Sequence, residues 1–117
     1  MNYPPKHHQE EQYKNALELV KMYPLASVIT SSNNRILSTH IPLVYTPEGT
    51  LGTLVGHLDK FNPQISHFED KDHDLELIFH GPEVYISPSK YSTTQLPTWN
   101  YFKVHLLAAN KNFYLIE

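Results

Sequence analysis

Eight histidines and one tryptophan are the side chains of this 117-residue sequence with the clearest capacity for chemistry. His40, His57, His80 and His105 each fall within or at the end of a segment with strand character. A half-buried imidazole usually makes a structural hydrogen bond, but four on adjacent strands suggest a polar site on a β scaffold. His7 and His8 lie in a polar N-terminal stretch, where solvation is expected. His67 and His73 sit among Glu69, Asp70, Asp72 and Asp74. No metal-ligand spacing such as HExxH is present there, so a solvated surface is the expectation and no metal site is assigned.

The tryptophan belongs to LPTWNYFKVH, residues 96–105. As an alternating strand, this stretch places Trp99, Tyr101, Lys103 and His105 on one face and Asn100, Phe102, Val104 and Leu106 on the other. The second face suits a hydrophobic core. The first offers two flat rings, a cation and an imidazole, which fit a second core, a subunit interface or the lining of a pocket for a planar ligand.

Other chemistries find no support. There is no cysteine, hence no disulfide, thiolate nucleophile or cysteine-bound zinc. GxSxG, GxGxxG and GxxxxGK[ST] are all absent, so neither a serine elbow nor the usual nucleotide loops are expected, and no residue is assigned a catalytic role. A phosphate could still be held by a cation with hydroxyls. Lys60, Arg35 and the run Thr30–Ser32 are the candidates.

The elements that must position these groups are legible in the same residues. Tyr13, Ala16, Leu17 and Val20 form an apolar stripe at helical spacing, so a helix is expected over about 8–22, with Glu10 and Glu11 at its start, Lys21 near its end and Pro24 beyond it. Strands are expected at 26–32, 35–45 and 51–58. The pair Asn33–Asn34 turns between the first two, and Pro42 demands an edge or bulge. NPQISHFED suggests a short helix with Asn62 as cap and Pro63 at its first position. Strands follow at 75–80 and, after Gly81–Pro82, through EVYISPS, with a last one from Trp99 that bends near AANKN into FYLIE. About six strands with two helices suggest a small antiparallel barrel or sandwich with appended helices, its β part running from about 26 to 117 in a single domain, residues 1–117, as the length also suggests.

Hydrophobic residues make up 40% and charged residues 18%, a globular balance. A net charge of −3 gives no basic field for nucleic acid. The N-terminus is too polar for a signal peptide and no apolar run reaches membrane-spanning length, so a cytoplasmic protein without membrane contact is expected.

Four segments in order, THIPL (39–43), GHLDKFNPQ (56–64), FHGPEVYISPSKY (79–91) and LPTWNYFKVH, resemble the PaiB-like family of FMN-binding negative transcriptional regulators. The resemblance runs from MNYPPKHH to His105, and its most specific parts are GHL…NPQ and PTWNY..VH. It implies a mainly β fold with flanking helices, the antiparallel split β-barrel shared with pyridoxamine-phosphate oxidases and flavin-reductase-like proteins. It also implies a homodimer with FMN at the interface. The matching cofactor positions are Thr39, His40 and Leu43 on one strand and His57 with Lys60 on and after the next, Lys60 serving the phosphate. Trp99 and Asn100 would reach the flavin from the partner subunit. Two departures stand out: Lys90 occupies a position where relatives often carry tryptophan, and relatives continue beyond the point corresponding to Glu117, making this barrel C-terminally short. The expected function is that of an FMN-binding regulator, with any DNA or regulatory partner implied by the family label alone. The alternatives are a small flavin-dependent oxidoreductase, a flavin-free interaction module, or haem binding through a strand histidine.

Overall fold

The computed structural model describes residues 6, 9, 12–69, 74–87 and 97–110. Glu10, Glu11, His7, His8, His73, Lys90 and the FYLIE segment lie outside them. The elements run α1 (Tyr13–Met22), β1 (Leu25–Ser32), β2 (Arg35–Pro42), β3 (Val44–Thr46), β4 (Thr53–Val55), α2 (Ile65–Glu69), β5 (Asp74–Ile86) and β6 (Thr98–Ala109). They form a four-stranded sheet in the order β2-β1-β5-β6 and a two-stranded sheet of β3 and β4. Every pairing is antiparallel. The fold is thus mainly β with flanking helices and consistent with a split barrel. Among the described residues its two sheets do not close into one continuous ring.

Local chemistry explains the joints. Asn33 and Asn34 adopt φ of 52° and 62°, the left-handed pair that a tight hairpin between twisted strands requires. Pro42 ends β2, so the expected single strand over 35–45 is divided at Leu43, whose N–H donates instead to the carbonyl of Pro24 at 2.9 Å. Gly81–Pro82 does the opposite. Rather than separating two strands it is absorbed as a bulge between His80 and Glu83 within one 13-residue strand. The third expected strand shrinks to three residues. Its entry, Gly52, has φ of 100°, and a Cβ there would strike the Tyr45 ring.

Alternation assigns the two faces of the large sheet. Ala26 and Val28 of β1 with Leu75, Leu77 and Phe79 of β5 point inward, joined by Val20 of α1 and by Leu43. Leu19, Ile41, Tyr45, Leu54, Phe68, Val104 and Leu106 pack around them. Phe79 is wholly buried, and a side chain of that size contributes about 2–3 kcal/mol by leaving water. The helices and the β3–β4 hairpin therefore cover one face only.

The opposite face is open. Beyond Phe79, β5 also outruns its pairing with β1, which spans only Glu76 to Phe79, and continues with β6 as a two-stranded ribbon. The ribbon lengthens the molecule to 60 × 30 × 27 Å, with a radius of gyration of 17.3 Å. A compact domain of 100 residues would give about 13 Å.

Candidate functional site

Two groups of polar residues lie on either side of β2, and the alternation of that strand separates them. On the inner side, residues 56–64 run back along β2. Gly56 lies against Pro42 and Leu43, so closely that a Cβ would come within 2.6 Å of the Leu43 side chain and 3.0 Å of the Pro42 carbonyl. Further along, Asn62 Nδ2 donates to Thr39 Oγ1 at 2.9 Å, and Gln64 Nε2 donates to the Leu37 carbonyl at 3.1 Å. His57 and Lys60 are carried between these anchors, both exposed.

The turn that presents Lys60 is shaped by its neighbours. Asp59 Oδ1 accepts from the Phe61 N–H at 2.8 Å, and the Asp59 carbonyl accepts from the Asn62 N–H at 2.9 Å. Asn62 Oδ1 in turn accepts from the Gln64 N–H at 2.8 Å, closing the turn ahead of α2, which begins at Ile65 and not at the expected Pro63. Lys60 Nζ lies 5.2 Å from the centre of the Phe61 ring and pairs with no carboxylate among the described residues. It is an available cation two residues before Asn62, whose side chain reaches the Thr39 hydroxyl.

Below this turn lies a buried network that sequence reasoning missed. Gln64 is fully buried, and its Nε2 also lies 2.9 Å from the Val28 carbonyl and 3.0 Å from Thr30 Oγ1, so that its two hydrogens are shared among three acceptors, while Oε1 has no partner among the described residues. His67 is buried as well, with Nδ1 2.7 Å from Thr30 Oγ1. The expectation of a solvated His67 is therefore wrong, because α2 turns that residue inward while its acidic neighbour Glu69 stays exposed. Thr30 is likewise engaged in the interior and is no phosphate donor. The only signal available was the position of Gln64 and His67 beside the cap of a short helix.

On the outer side, Ser27 Oγ lies 3.0 Å from His40 Nδ1 and 2.8 Å from His80 Nε2, bridging β1 to β2 and to β5. Lys103 Nζ meets Glu83 at 3.3 Å and His105 Nδ1 meets Glu76 at 3.1 Å on the same face. Burial pushes the His80 pKa below its ordinary value, as do Lys103, His40 and His105, against an opposing effect of Glu83. The side chains of Met22, Pro24, Leu25 and Pro42 complete an open cleft of about 690 Å³ above Ser27, His40 and His80.

Trp99 stands on this outer face farther along the ribbon, its ring 5.6 Å from that of Tyr85 and inclined by 41°. Both are about half exposed, as is Tyr101. The face expected to hold Trp99, Tyr101, Lys103 and His105 is thus the uncovered one. Val104 and Leu106 pack against the core, whereas Asn100 and Phe102 remain exposed because the ribbon extends past it.

The seven expected cofactor residues are not gathered at one place in the chain. Thr39 lies on the inner side of β2, where Asn62 bonds it, and His57 and Lys60 are exposed on the segment leading to Asn62. His40 points to the outer side and is bonded to Ser27. The side chain of Leu43 is in the core. Trp99 and Asn100 lie on opposite faces of the ribbon, opposite Tyr85 and Val84 respectively.

The residues present fit an FMN on the chemistry of their donors: an unpaired cation and a hydroxyl for the phosphate, and exposed aromatic faces for the ring. No group of three or more potential metal ligands occurs among the described residues. No helix there is long and apolar enough to cross a membrane.

Comparison with known proteins agrees with this donor set. A family model described as "Putative FMN-binding domain" matches residues 2–113. The chain is also 33% identical over 104 residues to the protease synthase and sporulation protein PAI 2 of Bacillus subtilis (strain 168), an alignment covering 89% of this chain and 50% of that protein. The chain therefore spans about half the length of this curated relative.

Proposed function

The chain belongs to this FMN-binding domain family, and from that premise we propose that it binds FMN between two copies of itself and serves a regulatory role. Lys60 and the Thr39 hydroxyl hold the phosphate on the inner side of β2, with His57 beside them. The ring lies toward the free edge of β2, an edge strand with main-chain donors and acceptors to offer, where His40 stands at the border with the outer face. The Trp99 ring comes from the second copy, with Asn100 next to it on the strand. When bound, the isoalloxazine supplies the redox chemistry, and these residues supply binding and orientation.

The observation that carries this reading is the uncovered ribbon. Val84, Tyr85, Trp99, Tyr101 and Phe102 are each between 48% and 65% exposed on a two-stranded extension. Such a ribbon is marginal alone and gains most from a covering surface. A second copy supplies that cover and brings its own aromatic ring to the flavin edge.

The regulatory part rests on the resemblance of the sequence to PaiB-like regulators and on a relative named for protease synthesis and sporulation. With a net charge of −3, action through a protein partner suits the chain better than direct contact with DNA. The test is the absorbance spectrum and mass in solution of the purified protein with FMN added. Flavin bands that remain with a species of twice the chain mass support the reading; a monomer that leaves FMN free overturns it.

A further inference from the structure

The cleft over Ser27, His40 and His80 is not accounted for by an FMN phosphate held on the other side of β2. It is open to solvent and its lining is mostly apolar, with Ser27, His40 and His80 supplying the polar groups, and its volume of about 690 Å³ falls within the roughly 300–1,000 Å³ of small-molecule sites.

The charges of this face are unevenly satisfied. Glu83 is taken by Lys103 and Glu76 by His105. The two imidazoles at the cleft have only the Ser27 hydroxyl between them. That hydroxyl has one proton, so it donates to one ring at most and accepts from the other. A ligand bearing a carboxylate would accept from the other N–H of the ring that takes the hydroxyl proton, and from both rings once both are protonated. A flat apolar body on that ligand would lie against Met22, Pro24, Leu25 and Pro42.

We propose that this cleft is a binding site for a small aromatic carboxylate, recognised by His40 and His80 across Ser27. The proposal separates this ligand from the FMN phosphate at Lys60 and shares only His40 with the flavin reading. It implies that binding tightens as pH falls, because the anion favours the protonated imidazoles. The groups facing His80 fix the sign: Lys103 and His105 from β6 and His40 from β2 oppose its protonation, and Glu83 favours it. Glu76, already paired with His105, adds no free charge.

Benzoate is the probe, titrated into the full chain while the ring resonances of the histidines are followed by NMR. The expected result is a saturable shift of the His40 and His80 rings, with affinity at least about threefold higher at pH 6 than at pH 8. Acetate, lacking the apolar body, should bind more weakly. Ser27→Ala, which removes the hydroxyl that holds the two rings in place, should reduce benzoate affinity about fivefold while the far-ultraviolet spectrum is unchanged. Should that variant misfold, His40→Gln at an exposed position provides the same comparison. Three results would overturn the proposal: no saturable shift, an equal response to inorganic phosphate, or displacement of benzoate by riboflavin as readily as by FMN. The last would make the cleft the flavin's own ring pocket. FMN binding that persists while benzoate fails would sink this inference alone and leave the flavin reading intact.

Discussion

The Ser27 hydroxyl lies 2.8 Å from His80 Nε2, although 53 positions separate the two residues in the chain. With His40 on its other side, this serine ties three strands together on the face that no helix covers. Because the His80 pKa is lowered in the folded protein, the unfolded chain binds that proton more readily. Stability is therefore complete above the ordinary histidine value and is lost as pH falls through the lowered one. Thermal unfolding at about pH 7 and about pH 5.5 should show a drop in Tm at the lower pH that is smaller in His80→Asn. An equal drop in both proteins would remove His80 from this account.

Gln64 is the least replaceable polar residue of the interior. Its amide reaches the carbonyls of Val28 and Leu37 and the hydroxyl of Thr30, joining the short α2 region to both β1 and β2. Gln64→Ala leaves those acceptors short of a donor and opens a cavity, costing about 3 kcal/mol. Urea unfolding should register this as a lower midpoint. A midpoint within error of the parent protein would show that the network adds nothing to stability.

Much of the scaffold was legible because local rules fix it. The stripe ending at Val20, the asparagine pair at 33–34 and the side-chain turn at Asn62 each behave as their side chains require. The strand break was misplaced between two prolines. Pro42 ends a strand, while Pro82 falls in a bulge that carries β5 onward, and only the partner strand β6 decides which outcome a proline takes. The site was less legible. Thr39 and His40 are neighbours in sequence, yet the two-residue period of a strand sends them to opposite faces. Ser27 gave no signal, because its partners come from strands whose register the sequence does not specify. His67 was misread since local charge suggested water, whereas the turn of α2 toward β1 put it beside Thr30.

Trp99 and Tyr85 form the exposed ring pair of the ribbon. Trp99→Ala should weaken self-association at least about tenfold, in the range of an aromatic interface anchor, and alter flavin fluorescence at the same time. Sedimentation across a concentration series measures the first effect. A variant that associates like the parent and leaves the flavin spectrum unchanged would place Trp99 outside both the interface and the site.

Gly56 permits the close approach of residues 56–64 to β2. In Gly56→Ala the new Cβ would meet the Pro42 carbonyl at 3.0 Å, which is backbone and cannot rotate away. The expected cost is about 1–3 kcal/mol in thermal or urea unfolding, together with weaker FMN binding as the Lys60 turn is displaced. Unchanged stability would mean that the segment can move off β2 freely.

The most direct test of the central claim is a pair of titrations, FMN and riboflavin, against the parent chain and Lys60→Ala, followed by flavin fluorescence. Lys60 is exposed and pairs with no described carboxylate, so its removal should leave the fold unaltered. The account predicts that FMN binding weakens about tenfold or more, the loss of a charge-assisted phosphate contact, while riboflavin binding hardly changes. Equal losses for the two flavins, or no loss for either, would contradict a phosphate site at Lys60.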